Sequence, residues 1–474
     1  MNILFKILFF LGIFVLFLHP IDSDGDFFQH VNIGRSIISE KGFPRYDAFT
    51  HTAAGSTYIG YSWGTGVIFY LLYKYTGSIG VNLFVASVAM LTFFLLFHLA
   101  KIISKSEKGA FLTIALSAPI IATRFPSRPE IITYPFVLAL LLINELKEKY
   151  PRIVLLFPII ILFWANMYSV SILVGLGLLL IFAIKKYQQK LFYLSVLTCF
   201  PMALLNGYGT SAVFYFLRIG ELAEFHGDWA GIGKILSTAP TEYLLIYQYT
   251  LLLFFLYVGF LILAAIISFK MVRSHLLFLF LSFGLFVPFL AARQMPLAVL
   301  LSTPLLAVLL SPSLRWHKQL VNFGIAVAAI SLLLLIKTNP PGTGEDLETF
   351  PPSMVTFIKE SKLEGNVFNT QRIGSFLSYH LYPQIKVFSD SRDDLFVNTT
   401  VLQEMGRIIY SQKRMAQLLD SYKVDIVIVD LTEGGSYPFL LKSGWVPVYK
   451  DSLYLILVPI ETAQEKGLKS VKWI

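Results

Sequence analysis

Long apolar runs, repeated along most of the chain, decide what it can fold into. They lie at 3–20, 78–100, 109–123, 131–146, 152–166, 169–184, 191–206, 246–269, 275–291, 295–310 and 320–337. A helix needs roughly 20 residues to cross the hydrocarbon of a bilayer. In lipid a backbone must satisfy its own polar groups, which a helix does within one segment. Several runs are shorter than that, but they end in Tyr, Trp and Phe, which suit the headgroup level and lengthen the helices. About eleven spans are expected.

Only 14% of the 474 residues are charged and 56% are hydrophobic, whereas soluble domains carry about a quarter charged residues. A soluble enzyme is excluded. The net charge of +9 does not indicate a nucleic-acid partner, because Lys and Arg fall in short clusters between the apolar runs. The single cysteine, Cys199, excludes an intrachain disulfide and any multi-cysteine metal site. The first run has Lys6 ahead of an apolar core and ends at His19 and Pro20, without a small-residue cleavage site. It is expected to be an uncleaved span.

Loop charges orient the spans, since Lys and Arg stay cytoplasmic. With the N-terminus inside, the inside loops hold Lys101, Lys105 and Lys108; Lys147, Lys149 and Arg152; Lys185, Lys186 and Lys190; Lys270 and Arg273; Arg315 and Lys318. The outside loops are poorer, with Arg124 and Arg128, Arg218 and Lys234, and Arg293. An odd number of spans then places residues 338–474 outside the cytoplasm. Segment 59–75 is apolar enough to upset this parity, but Gly60, Gly64 and Gly66 weaken it as a helix. It is expected to lie flat on the outer interface.

The expected fold is mainly α: a polytopic transmembrane helical bundle over 1–337, including an outer-face loop at 21–77, and a small extracytoplasmic α/β domain. Residues 338–350 form a linker opened by Asn339-Pro340-Pro341-Gly342, and 351–474 form the α/β domain. Within it, Gly365 to Asn369 reads as a strand, Val424 to Val429 as a short buried strand, and Trp445 to Pro459 as two strands around Lys450-Asp451.

Polar chemistry gathers on the outside. Asp22, Asp24 and Asp26 follow the first span directly. Phe27, Val31, Gly34 and Ile38 recur at helical spacing, which predicts an amphipathic interfacial helix over 25–40 with Asp26 and His30 on one face. An N-cap at Asp24 and a first-turn acid at Asp26 would be the bland explanation; it leaves three acids beside a histidine unexplained. Between the third and fourth spans stand Arg124, Arg128 and Glu130. A guanidinium fork suits phosphate oxygens, while the alternative is snorkelling to lipid headgroups. Arg293 is a candidate of the same kind from far along the chain. Trp164, Asn166, Tyr168, Asn206 and Tyr208 close spans on the outside, where interface anchoring is the default and a sugar-sized cleft the alternative. The loop 221–229, with Glu221, Glu224, His226 and Asp228, reads as a solvated acidic loop. Asp390 and Arg392 read as a pair supporting the tail's own loop.

These pieces, taken in order, resemble the bacterial polytopic proteins related to the GT-C glycosyltransferases, the superfamily of the protein O-mannosyltransferases and the lipid A aminoarabinose transferase. The matching residues are Asp24-x-Asp26, His30 and Gly34, then Gly42-x-Pro44-x-x-Asp47-x-Phe49 and Trp63. Arg128-Pro129-Glu130, Trp164-Ala-Asn166, Asn206-Gly-Tyr-Gly, Arg293 and Val387-Phe-x-Asp390-x-Arg392 follow. Tyr168 departs from the pattern, which often has His there. The resemblance implies an enzyme of the bacterial inner membrane that moves a hexose or pentose from a polyprenyl-phosphate donor to an unidentified acceptor on the extracytoplasmic side. Asp24 and Asp26 are then the expected catalytic acids, with Mg or Mn as a metal they would hold. His30, Arg124, Arg128, Glu130, Asn166 and Arg293 are the expected substrate-binding residues. The alternative is a non-catalytic carrier, flippase or assembly partner for lipid-linked envelope sugars; a pathway through the membrane would put ionisable residues near the middle of the spans, and these carry almost none.

Overall fold

The computed structural model describes residues 3–21, 25–184, 189–215, 232, 251–262, 288, 292–311, 317–338, 341–396, 401, 412–432, 440–441 and 443–472. Outside them lie Asp22 and Asp24, all of the expected span 275–291 but residue 288, part of 246–269, the loop 221–229, and Asn339-Pro340. The loop charges Lys185, Lys186, Arg218, Lys234, Lys270, Arg273 and Arg315 also lie outside. The protein is mainly helical with a small sheet near its C-terminus. It divides into two compact units, one of residues Met1–His19 and Ile79–Thr343, the other of Pro20–Ser78 and Gly344–Ile474.

The first unit is the apolar one. Among the described residues three helices are long and apolar enough to cross a membrane: Trp63–Ser104, Pro129–Leu146 and Ala292–Leu309. Ile3–Leu16, Pro151–Met167, Ser169–Ile184, Lys190–Leu204, Leu251–Ile262 and Val321–Leu333 are apolar but shorter, below the ~20 residues a hydrocarbon core asks for. The expected count of eleven is therefore not established by helix length, although helices occupy the expected positions wherever those runs are described. The protein is a membrane protein by this composition. Trp164 shows how tightly the helices meet. Its fully buried indole lies over Gly175, where a Cβ would come within 2.7 Å of the ring, and its Nε1 donates to Ser171 Oγ at 2.8 Å.

The tail of the second unit begins at Gly344, within the expected linker at 338–350, but the unit also takes in the first loop. Residues 20–78, assigned from the sequence to the membrane body, pack with the tail. The sheet explains why. Its five strands are β1 (Gly365–Phe368), β2 (Ile385–Val387), β3 (Ile426–Asp430), β4 (Trp445–Lys450) and β5 (Tyr454–Pro459). They run in the order β2-β1-β3-β5-β4, with β1 parallel to β2 and β3, and β5 antiparallel to β3 and β4. The strands expected around Gly365, Val424 and Trp445–Pro459 are all present. β2 is an edge strand, and an open edge leaves backbone groups without partners. The first loop covers it: Val387 N–H donates to Phe49 C=O and His51 N–H to Val387 C=O, both at 3.1 Å.

Helix Asp26–Glu40 completes the packing. The amphipathic interfacial helix expected at 25–40 is instead packed against protein over most of its length, with Phe27 through Gly34 and Ser36 buried and Ile38 exposed. Its polar residues have protein partners: Asn32 Nδ2 donates to Ser375 C=O at 2.9 Å, and Arg35 Nη1 and Nη2 donate to the Tyr379 and Ser378 carbonyls. Both carbonyls lie in the last turn of helix Gln371–Leu381; Ser378 C=O already accepts from Tyr382 N–H at 3.2 Å, whereas the residue four after Tyr379 is Pro383, which has no N–H to offer. Segment 59–75 is helical from Trp63 despite its glycines, and the helix kinks at Gly77 (φ 65°, ψ −161°). Gly66 is there for close approach. A Cβ on Gly34 would collide with the Gly66 carbonyl and come within 2.9 Å of Tyr70 Cβ.

Gly34→Val should therefore cost about 1–3 kcal/mol by overpacking, lowering the melting temperature of the purified protein. Gly12→Ala, where a Cβ meets nothing within 4 Å, should leave it unchanged. A second expectation concerns pH. His380 packs against the rings of Phe376 (4.6 Å) and Tyr379 (4.8 Å). Burial, and then Lys359 and Arg35, push its imidazole down to about 4 from 6.5. A histidine held neutral in the fold contributes stability at pH above its unfolded value, and that stability is lost as the pH falls from 6.5 to about 4. The melting temperature should fall from neutral to mildly acid pH, and less steeply in His380→Phe.

Candidate functional site

In the apolar unit, four of the expected residues come together. Glu130 sits on the short helical turn Pro129–Ile132 that leads into helix Thr133–Leu146, and Arg293 on the turn Ala292–Gln294 that leads into Met295–Leu309. Their side chains, 11% and 15% exposed for Arg293 and Glu130, form an ion pair across 163 residues of sequence. Arg128 and Arg124 also lie close enough to act on the Glu130 charge. Tyr134, one turn further along, lies within the field of Glu130, Arg124 and Arg293, and its hydroxyl donates to the Arg124 carbonyl at 3.4 Å.

This set carries three positive charges and one negative, in a half-buried setting where electrostatic interactions exceed those in water. Guanidinium groups in such a place suit an anion with several oxygens, above all phosphate. Tyr134 was not singled out from the sequence, where it looks like any aromatic at a span end.

Asn166 plays a different part. Its Nδ2 donates to Leu162 C=O and Leu205 C=O, both at 2.8 Å, and Asn206 Nδ2 reaches Ala165 C=O at 2.5 Å. The two amides tie helix ends together.

In the second unit, Asp26 opens helix Asp26–Glu40. The N-cap is Gly25, at φ 81°, rather than Asp24. Gly25 is required there twice over, by its positive φ and because a Cβ would strike the Arg372 carbonyl and approach Ser391 Oγ to 3.2 Å. His30, one turn after Asp26, is only 5% exposed, with its Nδ1 hydrogen-bonded to Ser62 Oγ at 3.0 Å. Asp24, the other expected acid and metal ligand, lies outside the described residues. Among the described residues no three His, Cys, Asp or Glu side chains converge as a metal-binding group.

Among the described residues, a buried charge cluster of this unit joins residues far apart in sequence. Arg392 Nη2 donates to Asp47 Oδ1 and to Asp390 Oδ2, both at 2.6 Å, and its Nε donates to Asp390. Asp47 also accepts from Phe49 N–H, Thr50 N–H and Thr50 Oγ1. The Asp390–Arg392 pair expected from the sequence is present, but it reaches beyond its own loop to the first one. Burial pushes the Asp390 carboxyl up, against the pull of Arg392. Removing the guanidinium would strand two buried carboxylates, at a cost of about 3–5 kcal/mol. Arg392→Leu should therefore unfold this unit at much lower temperature than Arg45→Leu, a change at an exposed position; thermal unfolding of the two variants checks this.

No family model and no curated protein sequence matches the chain. Solved structures do. The fold is similar to that of the oligosaccharyltransferase of Archaeoglobus fulgidus in the apo form, with a TM-score of 0.62 and 11% identity over 98% of this chain and 74% of that one. It is similar to the mycobacterial arabinofuranosyltransferase AftD, with a TM-score of 0.63 and 13% identity over 97% of this chain and 42% of that one. The Archaeoglobus fulgidus oligosaccharyltransferase AglB, in complex with an inhibitory peptide and a dolichol-phosphate, matches with a TM-score of 0.50 and 11% identity, over 87% of this chain and 66% of that one. The chain thus spans less than half the length of AftD. The chain shares the fold of these sugar transferases.

Proposed function

We propose that the protein is a membrane glycosyltransferase that moves a sugar from a polyprenyl-phosphate donor to an acceptor on the extracytoplasmic side. The observation that carries this reading is the gathering of Arg124, Arg128 and Arg293 around Glu130 in the apolar unit of a chain with a GT-C fold. The donor's lipid tail requires a site reached from the bilayer. Its phosphate requires cations that hold the charge released as the bond to the sugar breaks. The dolichol-phosphate bound by one structural neighbour is a lipid phosphate of the same kind.

In this reading the acceptor hydroxyl attacks the anomeric carbon, the bond from that carbon to the phosphate oxygen breaks, and the hydroxyl proton passes to a carboxylate. Asp24 or Asp26 takes the proton as general base. The arginines bind the phosphate and stabilise it as it leaves, and Glu130 keeps Arg293 in place until the donor arrives. His30, enclosed in the second unit, supports the helix that begins at Asp26 rather than touching the sugar.

The test is sugar transfer by the purified, membrane-reconstituted protein from a panel of polyprenyl-phosphate sugars. Asp24→Asn or Asp26→Asn, whichever is the base, should slow transfer by about 10²–10⁴-fold with protein levels unchanged. Full activity in both single variants would remove the acids from the reaction.

A further inference from the structure

A cleft in the second unit is lined in part by Arg392 and by none of the expected catalytic or substrate-binding residues. It has a volume of about 190 Å³ and is lined on one side by the face of helix Asp26–Glu40 that carries Gln29, Ser36 and Glu40. The opposite side is a hairpin held by Tyr46 paired with Thr57, Asp47 N–H bonded to Ser56 C=O at 2.9 Å, and Tyr58 N–H bonded to Arg45 C=O at 2.8 Å. Arg45, Tyr46 and Tyr58 of this hairpin face the cleft. Its base is the Arg392 guanidinium, stacked on the rings of Tyr58 and Phe49, each centroid 5.2 Å away.

Charge narrows what such a cleft takes. Arg392 is already held between Asp47 and Asp390, so it presents no cationic excess, and the other two charged residues of the lining, Arg45 and Glu40, are of opposite sign. Phosphate or sulfate finds no preference there, and an acyl chain would lie against charged groups at a desolvation cost. Tyr46 is 66% exposed at the rim, so its ring contributes little to the core while its backbone is fixed by the hairpin. A rigid aromatic face beside a carboxylate and a guanidinium pairs an apolar surface with hydroxyl donors and acceptors. A sugar ring has the same two kinds of surface.

We infer that this cleft is a saccharide-binding subsite that takes one neutral sugar ring, stacked on Tyr46 with its hydroxyls bonded to Glu40 and Arg45. The inference stands on the cleft alone and does not require the transfer reaction proposed above, so either can fail without the other.

Saturation-transfer NMR on the full chain in lipid nanodiscs free of glycoside detergents tests it. The probes are the methyl glycosides of glucose, galactose, mannose, N-acetylglucosamine and arabinose. At least one should receive saturation from the wild-type protein. That signal should be lost in Tyr46→Ala, retained in Tyr46→Trp, weakened in Glu40→Gln and unaffected by inorganic phosphate. Absence of signal from all the glycosides, a signal that survives both Tyr46→Ala and Glu40→Gln, or displacement by phosphate would overturn the assignment. Because Tyr46 is exposed, Tyr46→Ala should melt as the wild type does; if it does not, Glu40→Gln alone decides.

Discussion

The second unit depends on one guanidinium. Arg392 lies between Asp47 and Asp390, and all three side chains are buried. Two carboxylates that close would repel each other in a low dielectric, and an arginine alone would be costly to bury. Together they satisfy one another, and the geometry is demanding enough to specify one docking of residues 45–58 on the strand edge. The backbone bonds of Phe49 and His51 to Val387 and the Thr50 hydroxyl on Asp47 follow from that placement. So does the approach of helix Asp26–Glu40 to helix Gln371–Leu381, where Arg35 donates to two carbonyls of the last turn.

The apolar unit poses the opposite problem: how to keep charge where charge is expensive. Its answer is again an ion pair between distant segments, Glu130 with Arg293, with Arg124 and Arg128 close by. Here the balance is cationic, and a cluster of that sign at the start of two helices is a place for an anion. The two clusters differ in this respect. The one around Arg392 has more carboxylates than guanidiniums and serves the fold; the one around Glu130 has more guanidiniums than carboxylates and is the better candidate for binding.

What could be read from the sequence divides along the same line. Apolar runs are local, and the helices at Ile3–Leu16, Glu107–Ala122 and Met295–Leu309 lie where hydropathy put them. The buried strand at Ile426–Asp430 and the pair at 445–459 were equally visible, because a run such as Val-Asp-Ile-Val-Ile-Val has few other uses. The union of residues 20–78 with the tail was not visible, since a bridge between Thr50 and Val387 leaves no trace in either segment alone. The stripe Phe27, Val31, Gly34 and Ile38 suited a lipid surface as well as a protein one, and it is Gly34 against Gly66 that distinguishes them. Among the site residues, Arg124, Arg128 and Glu130 were legible as a local group and Arg293 by its chemistry. Asn166 was named for a residue type that here bridges helix ends.

The most direct test of the central claim is native mass spectrometry of the purified protein with polyprenyl monophosphate, comparing wild type with an Arg124→Gln, Arg128→Gln double variant. The wild type should hold the lipid phosphate, and the variant should bind it at least about tenfold more weakly, as loss of charge-assisted phosphate contacts requires. Equal binding by the two proteins, with both folded, would contradict the assignment of the arginine cluster to the donor.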